Sequence, residues 1–147
     1  MIMRCPRLII AAVVAMTAIS QAAKEQSLQE LIARAKTAPL KDQPSLYIEI
    51  AERQLKSADE LYTAGKVEEA RAAVVDVVAY SENAHDAAIQ SGKKLKAIEM
   101  ASRKMSHRLR DLKRTLNFED QAPVGAAADR LESLAQDLLN HMFGKGK

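Results

Sequence analysis

Histidine and methionine are the residue types in this sequence that could hold a metal ion or a haem. Glu82 and His85 are three residues apart, which puts both side chains on one face of a helix, as in di-iron carboxylate bundles. Those bundles use the motif twice, and it occurs once here. A haem held by histidine and methionine inside a four-helix bundle is the second option. The residues available for it are His85, His107, His141, Met100, Met105 and Met142.

Neither pattern is complete, so we predict that the protein has no cofactor and no metal. Covalent haem attachment needs a Cys-x-x-Cys-His sequence, and the single cysteine, Cys5, stands alone. The sequence also lacks Gly-x-Ser-x-Gly, His-Glu-x-x-His and a glycine-rich phosphate loop. We therefore predict a protein that is not an enzyme. A periplasmic four-helix bundle that binds haem or metal remains the alternative.

The most specific functional pattern is a cluster of positive charge between residues 93 and 116. Nine basic residues stand there against two acidic ones, Glu99 and Asp111, which gives this segment a net charge of +7. The segments 41–65, 66–90 and 117–147 each carry more acidic than basic residues. Two interpretations stay open: the basic helix balances its acidic neighbours, or it forms a surface for an anionic partner. The nine candidate partner-binding residues are Lys93, Lys94, Lys96, Arg103, Lys104, Arg108, Arg110, Lys113 and Arg114.

We expect the partner to be a protein or an anionic component of the cell envelope. Nucleic acid is not expected, because the basic segment contains no aromatic residue on which bases could stack. The export signal described next also separates the protein from nucleic acid.

The first 22 residues have the organisation of a cleavable signal peptide. Arg4 and Arg7 form a basic start, residues 8–19 are apolar apart from one threonine, and Ser20 and Ala22 occupy the small positions before a cleavage site. The apolar run is about 18 Å long as a helix, too short for a hydrocarbon core of about 30 Å. We expect cleavage near Ala22, a periplasmic or secreted location, and no stable transmembrane anchor afterwards.

Cleavage would change the composition of the chain. The full sequence has 147 residues, 48% of them hydrophobic, and a net charge of +3; without residues 1–22 the net charge falls to +1 and no cysteine remains. The predicted domain, residues 23–143, must therefore rely on an apolar core without disulfides, and residues 144–147 form a flexible basic tail. The 3% aromatic content favours helices over sheets.

Apolar residues recur every three or four positions along four long segments, which predicts four amphipathic helices after a short one at about 27–37. Pro44, Gly65 and Gly92 mark boundaries between them. Gly92 leaves open whether residues 66–116 form one helix or two, since a single glycine costs about 1 kcal/mol in a helix. We predict a turn over 117–122, with Asp120 capping the last helix.

The fourth segment has a heptad seam with strict steps of three and four. Its members are Leu95, Ile98, Ser102, Met105, Leu109, Leu112 and Leu116. Such a seam predicts packing against neighbouring helices at a shallow angle, and it is also a candidate for self-association into a homo-oligomer. We predict an all-α protein, an up-and-down bundle of four amphipathic helices plus a short N-terminal helix. An open stack of helical hairpins is the alternative.

Residues 58–70 resemble the turn between the two helices of a tetratricopeptide repeat. The matching residues are Ala58, Leu61, Gly65, Ala70 and Val74, whereas Gln54, Ser57, Val77 and Glu82 depart from the repeat pattern. The resemblance covers about 51–84, and no second copy follows at the family's period of about 34 residues. It implies a helical hairpin that binds a peptide or a protein, and it transfers no binding residue to this chain.

Overall fold

The computed structural model describes residues 27–144. Within that range the chain forms five α-helices and no strand, which confirms the predicted all-α class. The helices are α1 (27–37), α2 (Gln43–Thr63), α3 (Val67–Ser91), α4 (Leu95–Thr115) and α5 (Phe118–Phe143). The predicted signal peptide, the residues that link it to α1 and the predicted tail beyond Gly144 lie outside the described residues.

The short connections between helices depend on residues with a left-handed backbone. Gly65 follows α2 with φ 77° and Gly92 follows α3 with φ 68°, a conformation that strains any residue with a Cβ atom. Lys94 adopts φ 63° directly before α4, which is uncommon for a residue other than glycine. Because two left-handed residues separate Ser91 from Leu95, residues 66–116 form two helices.

The start of α5 differs from the prediction. The helix begins at Phe118, so Asp120 lies in the first turn and does not cap it. Its carboxylate instead accepts a hydrogen bond from Arg71 on α3 at 2.9 Å. Pro123 lies inside α5, where it has no N–H to donate one turn back and its ring crowds the carbonyl there, so the packing of the rest of the helix must offset a local cost. Residues 118–122, predicted as part of a turn, belong to the helix.

Two antiparallel hairpins, α2 with α3 and α4 with α5, make up the bundle, and they join mainly through α3 and α5. Three side-chain contacts advance in the same direction along these two helices: Arg71–Asp120, Glu82–Arg130 and His85–Asp137. The α3 and α5 helices therefore run parallel. The α2 helix contacts α4 more lightly, and none of its Cα atoms lies within 8 Å of a Cα atom of α5.

The core is built from alanines and branched apolar side chains, which lets the helices approach closely. The predicted seam of α4 is buried in it at Ile98, Ser102, Met105, Leu109 and Leu112. The seam is thus used inside the chain, and a second copy of the chain would have to bind elsewhere. A smaller cluster of Leu31, Ala35 and Ile50 holds α1 against α2. None of the helices between residues 27 and 144 combines the length and apolarity that crossing a membrane requires.

Candidate functional site

The nine predicted binding residues lie on α4 and the two positions before it, on both flanks and on the outer side of the buried seam. We call this set of nine residues the basic face. One flank of this face adjoins α5, where Ser106 Oγ donates a hydrogen bond to the Ala128 carbonyl at 2.7 Å. The other flank adjoins α2, where Arg108 shares a shallow hollow with Leu55 and Asp59. Because the seam fixes α4 between these neighbours, its cations project along both flanks and outward.

Glu99 neutralises part of the basic face from within α4. Its side chain is only 5% exposed, and it accepts hydrogen bonds from Arg103 Nε at 2.9 Å and from Lys96 Nζ at 3.3 Å. Burial by itself raises the pKa of the Glu99 carboxyl, but the hydrogen bonds and charges of Arg103 and Lys96 outweigh burial and hold this pKa below its usual value. Glu99 is therefore a carboxylate at neutral pH.

Among residues 27–144, one residue of the basic face pairs with carboxylates of a neighbouring helix. Arg110 Nη2 pairs with Asp129 on α5 at 3.4 Å and also with Glu132. Arg114 pairs with Asp111 on α4 itself, and both of these side chains are largely exposed. Between residues 27 and 144, no other cation of the face pairs with a carboxylate on another helix. Balancing acidic neighbours thus accounts for one of the nine cations.

More than half of the basic face is available to a partner. In the part of the chain that the structure describes, five of its cations have no carboxylate within 4 Å: Lys93, Lys94, Lys104, Arg108 and Lys113. The first four are exposed, and Lys113 is half-buried. Charges that are already paired contribute little to a new contact, so these five residues determine what the face can attract.

A groove of about 810 Å³ runs between α4 and α5 at the end of the basic face. Arg110, Lys113 and Arg114 line one wall. The floor is made of small α5 residues, and an added Cβ at Gly125 would lie 3.2 Å from Lys113 Nζ. The end of the Lys113 side chain therefore lies close over α5 at Gly125, and a small shift of this flexible side chain would accommodate an alanine there.

An exposed phenylalanine lies on α5 one helical turn before the groove residue Ala122, and no pattern in the sequence singles it out. Phe118 is the first residue of α5 and is 88% exposed. It precedes Ala122, which lines the groove, by one helical turn and shares its face of α5. In the sequence Phe118 falls within a predicted turn, so only the exposure of its ring in the folded chain sets it apart.

Glu82 and His85 each contact a different residue of α5. Glu82 Oε1 accepts a hydrogen bond from Arg130 Nε at 2.7 Å, while His85 lies between Asp86 Oδ1 at 2.8 Å and Asp137 Oδ2 at 2.6 Å. Both residues thus connect α3 to α5 through separate contacts. Among the described residues, no group of three metal-ligating side chains is placed to hold an ion.

The histidines and methionines considered for haem are also dispersed. Met105 is buried in the α4 seam, where its flexible side chain fills the core. His107 and Met100 are exposed on the outer side of the same helix. His141 and Met142 lie at the far end of α5 and are half-buried. These residues share no enclosed space, so the haem alternative gains no support from the geometry.

Comparison with known proteins adds no family to this description. The chain matches no family model, no curated protein and no solved structure. The resemblance of residues 51–84 to a tetratricopeptide repeat therefore stays a prediction.

Proposed function

We propose that this protein is an exported, non-enzymatic binding module of the cell envelope that holds an acidic partner against the basic face of α4. The observation that carries the proposal is the set of five cations without a carboxylate within 4 Å: Lys93, Lys94, Lys104, Arg108 and Lys113. Among residues 27–144 five other cations also have no carboxylate within 4 Å, but they are spread over α1, α2 and the connections that follow them, whereas the five of the basic face follow one another along α4 and its start. The other five are Arg34, Lys36, Lys41, Lys56 and Lys66.

An acidic polypeptide is favoured over a lipid surface by the distribution of exposed apolar side chains. A helix that lies in a membrane interface presents one continuous apolar face beside its basic residues. Here the large exposed apolar residues are spread over three helices and the α1–α2 connection: Leu40, Val75, Met100, Phe118 and Phe143. The outermost positions of α4 are Met100, His107 and Arg114, which do not form such a face.

The proposal is tested with three neutralising substitutions in the basic face, Lys104→Gln, Arg108→Gln and Lys113→Gln. The matched control is Lys36→Gln, Lys56→Gln and Lys66→Gln, which removes the same charge from α1, α2 and the α2–α3 connection and leaves α4 unchanged. Binding of fluorescently labelled polyglutamate is measured by anisotropy at several salt concentrations. Vesicles of 70% phosphatidylcholine and 30% phosphatidylglycerol provide the comparison surface.

We expect polyglutamate to bind, the affinity to fall as salt rises, and the basic-face variant to weaken binding at least tenfold. The control variant should change the affinity less than threefold. Equal losses in the two variants would show that only net charge matters and would overturn the proposal. Binding to vesicles alone would assign the face to lipid, which also contradicts the proposal.

A further inference from the structure

Three cations from separate parts of the chain meet at the end of the bundle where α2 and α4 begin. They line a hollow of about 470 Å³: Arg34 from α1, Lys41 from the α1–α2 connection and Lys94 from the α3–α4 connection. Within residues 27–144, none of the three has a carboxylate within 4 Å. Their charges are therefore available to a ligand that occupies the hollow.

The hollow keeps a positive charge when its acidic lining is counted. Asp42 is the one carboxylate among the lining residues, and within the described range no lining residue takes part in an ion pair. Three cations and one carboxylate give the lining a net charge of +2. In the α4–α5 groove, by contrast, Arg110 and Arg114 are already paired with carboxylates.

The three cations lie close enough together to act on one ligand. A space of 470 Å³ is about 10 Å across, similar to the Debye length of about 8 Å at physiological salt, so salt only partly screens the cations from one another. The first turn of α2 borders the hollow and has no acidic residue and no side-chain cap. Because the start of a helix carries partial positive charge, cations beside it are unfavourable by themselves. A bound anion would offset both costs.

A phosphate monoester matches this lining in charge and in hydrogen-bonding groups. Its phosphoryl group carries a charge of about −1.5 to −2 at neutral pH and has three acceptor oxygens. The guanidinium of Arg34 can donate to two of these oxygens at once, and the ammonium groups of Lys41 and Lys94 supply point charges. Ser45 adds to the lining a hydroxyl that can donate a further hydrogen bond. A carboxylate, with one charge and two oxygens, would leave part of this lining unmatched.

From this arrangement we propose that the hollow binds the phosphoryl group of a phosphate monoester. The volume falls within the range of about 300–1,000 Å³ that is usual for small-molecule sites, so part of a carbon skeleton fits beside the phosphoryl group. A soluble phosphate monoester and a lipid headgroup present the same group, and the experiment distinguishes these two sources. The inference goes beyond the proposed function, because the ligand is not a polypeptide and Arg34 and Lys41 lie outside the basic face.

Glycerol phosphate is the soluble probe, added in exchange for sodium chloride at constant ionic strength. The backbone amide shifts of Ser45 and Leu46, which line the hollow, are followed by NMR. Vesicles of nine parts phosphatidylcholine and one part phosphatidic acid present the same phosphoryl group on a lipid. The matched control is Lys104→Gln, which removes an exposed cation of the basic face that does not line the hollow. The test variants are Arg34→Gln, Lys94→Gln and Asp42→Asn.

We expect the amide shifts to saturate, as binding at a single site requires. Arg34→Gln and Lys94→Gln should each raise the dissociation constant at least threefold, because each removes a cation that attracts the phosphoryl group. Asp42→Asn should lower it at least twofold, because it removes the carboxylate that repels this group. Lys104→Gln should change it less than twofold. The four substituted side chains are exposed, so the variants are expected to fold.

The outcomes separate the site from general charge effects. If vesicle binding depends on Arg34 and Lys94 while glycerol phosphate does not bind, the phosphoryl group comes from a lipid and the site stands. Absence of Arg34-dependent binding to either probe would overturn the inference, as would equal losses in Arg34→Gln and Lys104→Gln. The proposed function is unaffected by these results, because it is tested with polyglutamate and with substitutions that lie outside the hollow.

Discussion

Replacing Glu99 by glutamine tests the electrostatics of the basic face without substituting any of its cations. Glutamine keeps the size of the side chain but removes the charge that holds Lys96 and Arg103. The two hydrogen bonds are charge-assisted, a type that contributes about 1.5–3 kcal/mol each. Lys96 and Arg103 are 63% and 38% exposed, so solvent screening reduces these values. We expect Glu99→Gln to lower the free energy of unfolding by about 1–2 kcal/mol.

The pH dependence of this loss follows from the direction of the pKa shift. The pKa of Glu99 is lower in the folded chain than in the unfolded chain, so its contribution to stability is complete above the ordinary glutamate value of about 4.3. The contribution disappears as the pH falls through the lowered pKa of the folded state. The difference in stability between Glu99→Gln and the wild type should therefore be largest at neutral pH and vanish in acid.

Urea denaturation followed by circular dichroism at a series of pH values measures this difference. With a slope of about 2 kcal/mol per molar urea, the expected loss moves the midpoint by about 0.5–1 M at neutral pH. Asp111→Asn is the matched control, because it also neutralises an acid on α4, but in a pair whose side chains are 73% and 78% exposed. Its effect should be much smaller. A Glu99→Gln variant as stable as the wild type, or a loss that persists unchanged in acid, would refute this description of Glu99.

Three further substitutions test the fold by the same denaturation assay. Leu109→Ala empties a fully buried position of the α4 seam and should cost about 2–5 kcal/mol; a cost below about 1 kcal/mol would mean that the seam is not in the core. Ser106→Ala removes the buried hydrogen bond to the Ala128 carbonyl and should cost about 1 kcal/mol, whereas a gain in stability would contradict that contact. Gly92→Ala places a Cβ at φ 68° and should cost about 1–2 kcal/mol, unlike the gain expected if Gly92 were helical.

The helices could be predicted from the sequence because their signals are local. The steps of three and four from Leu95 to Leu116 fix one face of α4, and the structure buries that face. Gly65 and Gly92 were predicted as helix boundaries, and both have the left-handed backbone that commonly follows the end of a helix. The start of α5 was misplaced because residues 117–122 were predicted as a turn, whereas the helix begins at Phe118 and contains Pro123 despite the local cost of a proline inside a helix.

The packing order and the groove could not be predicted, because they depend on contacts between distant residues. Nothing near Arg71 in the sequence indicates that it pairs with Asp120, 49 positions away, and this pair helps to show that α3 and α5 run parallel. The sequence shows that α4 is basic, but it does not show which of its cations are paired. Arg110 pairs with a carboxylate on α5, whereas Lys113 lies over Gly125. Which cations are available is a property of the folded chain.

The central claim is that an acidic partner binds to the basic face of α4. Backbone amide chemical shifts, recorded by NMR while decaglutamate is added, test this claim residue by residue. Binding to the basic face predicts shifts that are confined to α4, to the α3–α4 connection at Lys93 and Lys94, and to the first half of α5. Shifts that centre on α2 or α3, or that spread evenly over all exposed lysines, would contradict it.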